Sequence, residues 1–239
     1  LTLFWTNVVL TAAHFVPEKA SHVKIVFSND VDFTLNTREQ DVLQELVLTA
    51  TDFKTSTTWD PNNETIEHNT GDIALIKFKG VIPNGYKPAK MVTDDSSLKI
   101  GDIISLAGYG VDDVDASKEI NPKKYKDLEE AISYGEVICE DDMNGKHIKC
   151  FKVERTGDGT LRQTEAPIKF ILETEFHLNE IQTGTCNGDS GGPAFIKKDG
   201  EFFLLGVTSR GSELCDEVGV YTNAVYYKKW INDTIKLLK

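Results

Sequence analysis

The sequence predicts an all-β protein closed by one C-terminal helix. Two observations carry this. Short runs rich in β-forming residues recur between frequent turn signals, such as Asp60-Pro61-Asn62-Asn63 and Val81-Ile82-Pro83-Asn84-Gly85. Helical spacing is clear at one place: Val225, Trp230, Ile231, Ile235 and Leu238 recur at near-helical intervals over 224–238, an amphipathic helix that packs one face on the body.

Residues 1–14 read as a strand running into His14, and 21–27 as another, with His22 a surface residue. The stretch 44–53 is rich in β-formers, and 72–78 is an apolar strand entered by Asp72. From Asp94 to Asp102 the composition turns polar, and Ile103 to Ala107 opens a second half. Asp112 to Glu130 is an acidic, lysine-rich insertion, for which a surface helix over 123–131 and a solvated loop remain equal readings. Asn144-Gly145 marks a hairpin turn between Cys139 and Cys150, and Gly157-Asp158-Gly159 a further turn. Phe202 to Thr208 is a clean strand.

Composition excludes several classes. At 239 residues the chain can bury one large core or two small ones. A formal charge of -12 opposes a nucleic-acid backbone as partner. No apolar run approaches a membrane span. The four cysteines, Cys139, Cys150, Cys186 and Cys215, contain no C-x-x-C pair for zinc or redox chemistry. Two disulfides in an exported protein fit them better than reduced thiols, and three pairings are open. Two acidic features give no metal site. His68 and Asp72 stand four apart, but Gly71 and a β-rich flank argue against a helical ligand pair. Glu140-Asp141-Asp142 lacks the spaced oxygens of a calcium loop. No cofactor is implied.

Chemistry concentrates in Thr185-Cys186-Asn187-Gly188-Asp189-Ser190-Gly191-Gly192-Pro193. Its small residues allow a tight turn and close approach of a substrate backbone. A serine hydroxyl needs a base, and the base an orienting acid. His14 closes Val9-Leu10-Thr11-Ala12-Ala13-His14, and Asp72 opens Asp72-Ile73-Ala74-Leu75. A histidine suits the base because its unperturbed pKa lies near neutrality. The chain order is His, Asp, Ser, which excludes the esterase elbow fold.

Ala12-Ala13-His14, Asp72-Ile73-Ala74-Leu75 and Gly188-Asp189-Ser190-Gly191-Gly192-Pro193 together resemble the three signatures of chymotrypsin-like serine proteases. Ser105-Leu106-Ala107-Gly108-Tyr109-Gly110, Ser209-Arg210-Gly211 and Gly219-Val220-Tyr221-Thr222 extend the resemblance over nearly the whole chain. It implies two packed six-stranded antiparallel Greek-key barrels, one in 1–97 with His14 and Asp72, the other in 98–239 with Ser190, the pocket and the helix. It implies an endopeptidase on protein or peptide substrates, with Ser190 as nucleophile, His14 as base, Asp72 as orienter and the Gly188 and Ser190 amides as oxyanion hole. Thr11 would help hold Asp72. Cys186 would pair with Cys215 and leave Cys139 for Cys150.

By the same resemblance Gly184 is the pocket floor, beside Thr185, Ser209 and Arg210, with Gly211 and Gly219 as open walls. The cavity then suits large neutral or hydrophobic residues. Asp216 or Glu217 could instead supply charge for basic residues, and Arg210 could attract acidic groups at a neighbouring subsite. A bacterial, secreted or periplasmic, otherwise monomeric protein is implied. The family's apolar N-terminal motif, whose freed ammonium pairs with the aspartate before the serine (here Asp189), is missing. The resemblance therefore also implies a separate or unobserved N-terminal segment completing the first barrel, with a non-catalytic or zymogen-like binding module as the alternative. Phe15 stands where a cysteine is usual.

Overall fold

A computed structural model describes residues 1–37, 43, 45–61 and 71–238. Asn62 and Asn63 of the turn expected at 60–63, and His68, lie outside the described residues. The described elements are mostly strands, as the turn spacing predicts. The strands are β1 (Thr2–Trp5), β2 (Val8–Thr11), β3 (Lys24–Val26), β4 (Val47–Thr55), β5 (Ala74–Lys79), β6 (Lys90–Met91), β7 (Ile103–Gly108), β8 (Asp113–Ile120), β9 (Val137–Asp141), β10 (His147–Thr156), β11 (Arg162–Ile171), β12 (Glu175–Asn179), β13 (Pro193–Lys198), β14 (Glu201–Gly211) and β15 (Val218–Asn223). The α-helices are α1 (Val31–Asn36), α2 (Leu128–Ser133) and α3 (Lys228–Leu238).

The chain forms two compact units. The larger comprises residues 1–110 and 159–239 and holds two sheets. In the first, the strand order is β1-β2-β5-β4-β3. Val9, Ile25, Leu48, Ile76 and Phe78 form its core, because alternate residues of each strand face the same side. The second sheet runs β13-β7-β11-β12-β15-β14, and β13 also pairs with β14. Those six strands therefore close on themselves as a barrel, with β6 added in parallel on β14. Ile104, Leu106, Ile168, Phe176, Leu178 and Tyr221 fill it. Phe176 and Tyr221 stack there with ring centroids 5.4 Å apart.

Helix α3 begins at Lys228, four residues later than the spacing predicts, because Ala224 and Val225 belong to the turn that leaves β15. Its Ile231, Ile235 and Leu238 pack with Leu10, Leu75, Leu204 and Val207. One helix face thus touches the sheet that carries β2 and β5 and the barrel strand β14.

The smaller unit spans 111–158. Its sheet runs β8-β10-β9, and Cys139 is bonded to Cys150 across paired strands. Ala131, Val137 and Cys150 are its buried centre. The insertion is therefore neither one helix nor a loop: it opens with β8, turns through a 3₁₀ segment at Pro122–Lys124, and reaches helix only at Leu128–Ser133. Glu140-Asp141-Asp142 serves its hairpin. Asp142 accepts from the Asn144 and Lys146 amides, and Asp141 bonds His147 at 2.5 Å. His22 ends a 3₁₀ turn rather than lying in a strand.

Candidate active site

Antiparallel pairing brings the first two predicted residues together. Thr11 at the end of β2 faces Ala74 at the start of β5. His14 lies three residues beyond Thr11, in the 3₁₀ turn Ala13–Phe15, and Asp72 two residues before Ala74. Both chain ends leave the sheet on the same edge. The His14 Nδ1 lies 2.8 Å from Asp72 Oδ2, and the His14 backbone N–H donates to Oδ1 at 3.0 Å. Gly71, at φ +87°, makes the bend before Asp72 where a side chain would overlap Thr58.

Asp72 is fully buried. Its second side-chain donor is Ser209, whose Oγ lies 2.6 Å from Oδ2. Ser209 sits where the β14–β15 register slips between Thr208 and Arg210, and this irregularity aims its hydroxyl at the carboxylate. The Ser209 hydroxyl thus points at Asp72. Thr11 does not bond Asp72: among the described residues its buried Oγ1 has no hydrogen-bond partner, and it packs over Gly191. Burial works to raise the Asp72 pKa, but the bonds and charge from His14 and the bond from Ser209 outweigh it and hold the carboxyl below its ordinary value.

Ser190 lies three residues before β13, and the chain around it is zipped to β14. The Gly191 N–H donates to Thr208 O at 2.8 Å, and Thr208 N–H donates to Gly192 O at 2.9 Å. Gly191, at φ +76°, packs where a Cβ would overlap Thr11 and sit 3.2 Å from the Ala12 nitrogen. The serine's neighbour therefore abuts the strand end that leads to His14. Ser190 itself is half-buried and makes no hydrogen bond among the described residues. The Gly188 and Ser190 amides likewise donate to nothing among the described residues.

Asp189 accepts two backbone hydrogen bonds. Its Oδ1 accepts from the Gly110 N–H at 2.8 Å and its Oδ2 from the Cys186 N–H at 2.9 Å. Side chains at Gly108 or Gly110 would overlap it, which explains the glycines of Ala107-Gly108-Tyr109-Gly110. Asp189 is half-buried, and each of its oxygens takes a charge-assisted bond from a backbone dipole.

The pocket residues divide. Cys186 is bonded to Cys215, which ties the Gly184–Gly188 stretch to the turn after β14. Thr185 Oγ1 lies 2.9 Å from the Tyr221 hydroxyl. Gly211 faces Gly219 across β14 and β15. Arg210 is not available to acidic groups: both of its terminal nitrogens lie 2.8 Å from the Glu175 carboxylate oxygens, in a pair whose side chains are 9% and 4% exposed. Asp216 and Glu217 are exposed, and their amides donate to Ser212 Oγ. The carboxylate beside Gly184 and Gly219 belongs instead to Glu180, which sequence reasoning missed.

The family model described as "Trypsin" matches residues 2–231. The chain is 48% identical to human kallikrein-2 over 185 residues, 73% of this chain and 64% of that protein. It is 27% identical to mouse kallikrein-8 over 230 residues, 95% of this chain and 73% of that protein. A CLIP domain-containing serine protease B4 of Anopheles gambiae matches at 46% over 54 residues, 21% of this chain and 15% of that protein. The matches thus span less than two thirds of those two first relatives, kallikrein-2 and the CLIP protease. Among solved structures, mouse neuropsin, "a serine protease expressed in the limbic system of mouse brain", superposes with a TM-score of 0.65 at 21% identity, over 98% of this chain and 86% of that one. It shares the fold, mostly β with barrel-like sheets and a terminal helix. These relatives are animal proteins, and a bacterial source finds no support among them.

Proposed function

The chain belongs to the trypsin family, and from that membership we propose that it is a serine endopeptidase working through an acyl-enzyme on Ser190. The observation that carries the reading is the His14–Asp72 bond at 2.8 Å, fixed at its far side by Ser209. With Nδ1–H donated to Asp72, the neutral imidazole presents Nε2 as a proton acceptor. Ser190 Oγ attacks the peptide carbonyl carbon while its proton passes to Nε2. The carbonyl π pair moves onto oxygen, and the Gly188 and Ser190 amides receive that oxyanion, each worth roughly 3 kcal/mol in comparable sites. Nε2 then returns the proton to the leaving amine as the C–N bond breaks. Water repeats the sequence to free the acid and regenerate Ser190. Asp72 stays ionised and stabilises the imidazolium between steps.

Protein and peptide substrates outside the cell fit this reading, with two disulfides and the kallikrein and CLIP relatives in support. The alternative of a non-catalytic binding module is weakened by the buried, fully bonded Asp72, which a scaffold does not need. The neutral pocket expected from Gly184 has less support than a charged one, because Glu180 lies against that floor. Casein digestion is the test: S190A abolishes it, and H14A lowers turnover by several orders of magnitude. Undiminished digestion by S190A would refute the reading.

A further inference from the structure

Two asparagines of the sequence begin the tripeptide Asn-x-Thr: Asn63-Glu64-Thr65 and Asn232-Asp233-Thr234. Asn-x-Ser/Thr with x other than proline is the acceptor sequence for an N-linked sugar in proteins that pass through the secretory path. Such tripeptides are common, so the placement of their residues decides whether one can carry a sugar. Asn63 lies outside the described residues. Asn232 lies within α3, where its surroundings can be read.

Helix α3 buries Ile231, Thr234, Ile235 and Leu238 and leaves Asn232 and Asp233 exposed. Its buried side packs with Leu10, Leu75, Leu204 and Val207, so Asn232 stands outside that core. Lys229 and Lys236 both donate to Asp233, and the Asn232 amide makes no hydrogen bond among the described residues. A sugar on its Nδ2 therefore displaces no protein contact. Thr234 is the opposite case: it is 5% exposed and lies on the buried side. Residues two apart on an α-helix point about 200° from each other, whereas in an extended chain they line one face. A transferase that reads the Asn232 amide and the Thr234 hydroxyl together can do so only on the extended segment.

We propose that Asn232 is N-glycosylated, and that the sugar is attached before α3 forms and docks. The co-reactant is a diphosphate-linked oligosaccharide. Nδ2 attacks the anomeric carbon of its first sugar, and the C–O bond to the diphosphate breaks with its electron pair leaving on the diphosphate. The amide gives up one proton to a base of the transferase. The proposal rests on the extracellular reading above and is independent of the Ser190 chemistry. The two disulfides place the chain in the oxidising path where such transfer occurs. Once α3 docks, the sugar projects into solvent and the helix core is unchanged.

The full chain, secreted from cultured animal cells, supplies the test. A sugar-removing amidase in heavy-oxygen water turns a glycosylated asparagine into a labelled aspartate. Trypsin then releases residues 230–236, cut after Lys229 and Lys236, with Asn232 as the one asparagine. The label appears on this peptide in wild type and is lost in N232Q. It is also lost in T234V, which keeps Asn232 and the buried shape at 234, and it is retained in T234S. Folded chain made bare in a bacterial host stays bare when given microsomal membranes and the diphosphate-linked sugar, while the reduced and alkylated chain gains the label. An unlabelled 230–236 peptide from secreted wild type, or label persisting in T234V, overturns the site. Label gained by the folded bacterial chain overturns the order of events. Loss of the label alone rejects only the site, whereas loss of the label and of both disulfides rejects the extracellular reading with it. A labelled chain that fails to digest casein keeps the site and rejects the peptidase.

Discussion

Asp72 and Glu180 are both buried carboxylates, and their pKa values shift in opposite directions. Asp72 and Glu180 are 0% and 2% exposed, so burial penalises both charges alike. Asp72 is nonetheless held below its ordinary pKa and Glu180 above it. The difference lies in the donors. Asp72 meets an imidazole that can carry the positive charge, a backbone N–H and the Ser209 hydroxyl. Glu180 meets Tyr221 and Thr185, with Asp189 repelling it.

Breaking the Asp72 set has the largest effect. Asp72→Asn preserves shape but favours the wrong imidazole tautomer, and kcat falls by about 10⁴. Steady-state kinetics on a peptide ester should show KM little changed. Arg210→Met next converts Glu175 into a second carboxylate without a cation. Stability falls by about 3–5 kcal/mol, read by urea denaturation, because the other half of a buried pair is left behind. Ser209→Ala removes one bond to a charged acceptor and lowers kcat by about 10-fold. Retention of full kcat would deny Ser209 its positioning role.

The smallest effect sharpens the comparison through pH. Glu180 has a raised folded-state pKa, so its ionisation costs stability as pH rises from the unfolded value, about 4.3, through the folded one. Glu180→Gln should therefore melt a few degrees above wild type at neutral pH, and the gap should close below about pH 4. Asp72, with a lowered folded pKa, behaves in reverse. Its contribution is present above about pH 3.9 and disappears as pH falls through the folded value, so Asp72→Asn melts lower at neutral pH and converges with wild type in acid. Parallel thermal scans from pH 3 to pH 8 distinguish the two signs.

The three candidate residues were readable because each borders a distinctive short run: β2 leads to His14, β5 follows Asp72, and glycines follow Ser190. The Gly108 and Gly110 cradle was also readable as a motif, although its purpose, room for Asp189, required coordinates. Glu180 was not readable. It is one of 38 acidic residues, and its inward turn goes with a bond to Glu217 beside the neighbouring strand β15. Arg210 looked like a free cation because its partner Glu175 is 35 residues away in sequence. Thr11 was misread for a similar reason: its neighbour Gly191 comes from a distant segment. The insertion at 112–130 hid a strand because β8 is short of β-forming apolar residues and no position in it is fully buried, so its charges read as a solvated loop.

The most direct measurement is fluorophosphonate labelling followed by peptide mass mapping, in wild type, H14A and E180Q. The account expects a single adduct on Ser190 in the wild type and in E180Q, formed orders of magnitude more slowly in H14A. An adduct on another residue, or equal Ser190 labelling with and without the His14 imidazole, would contradict it.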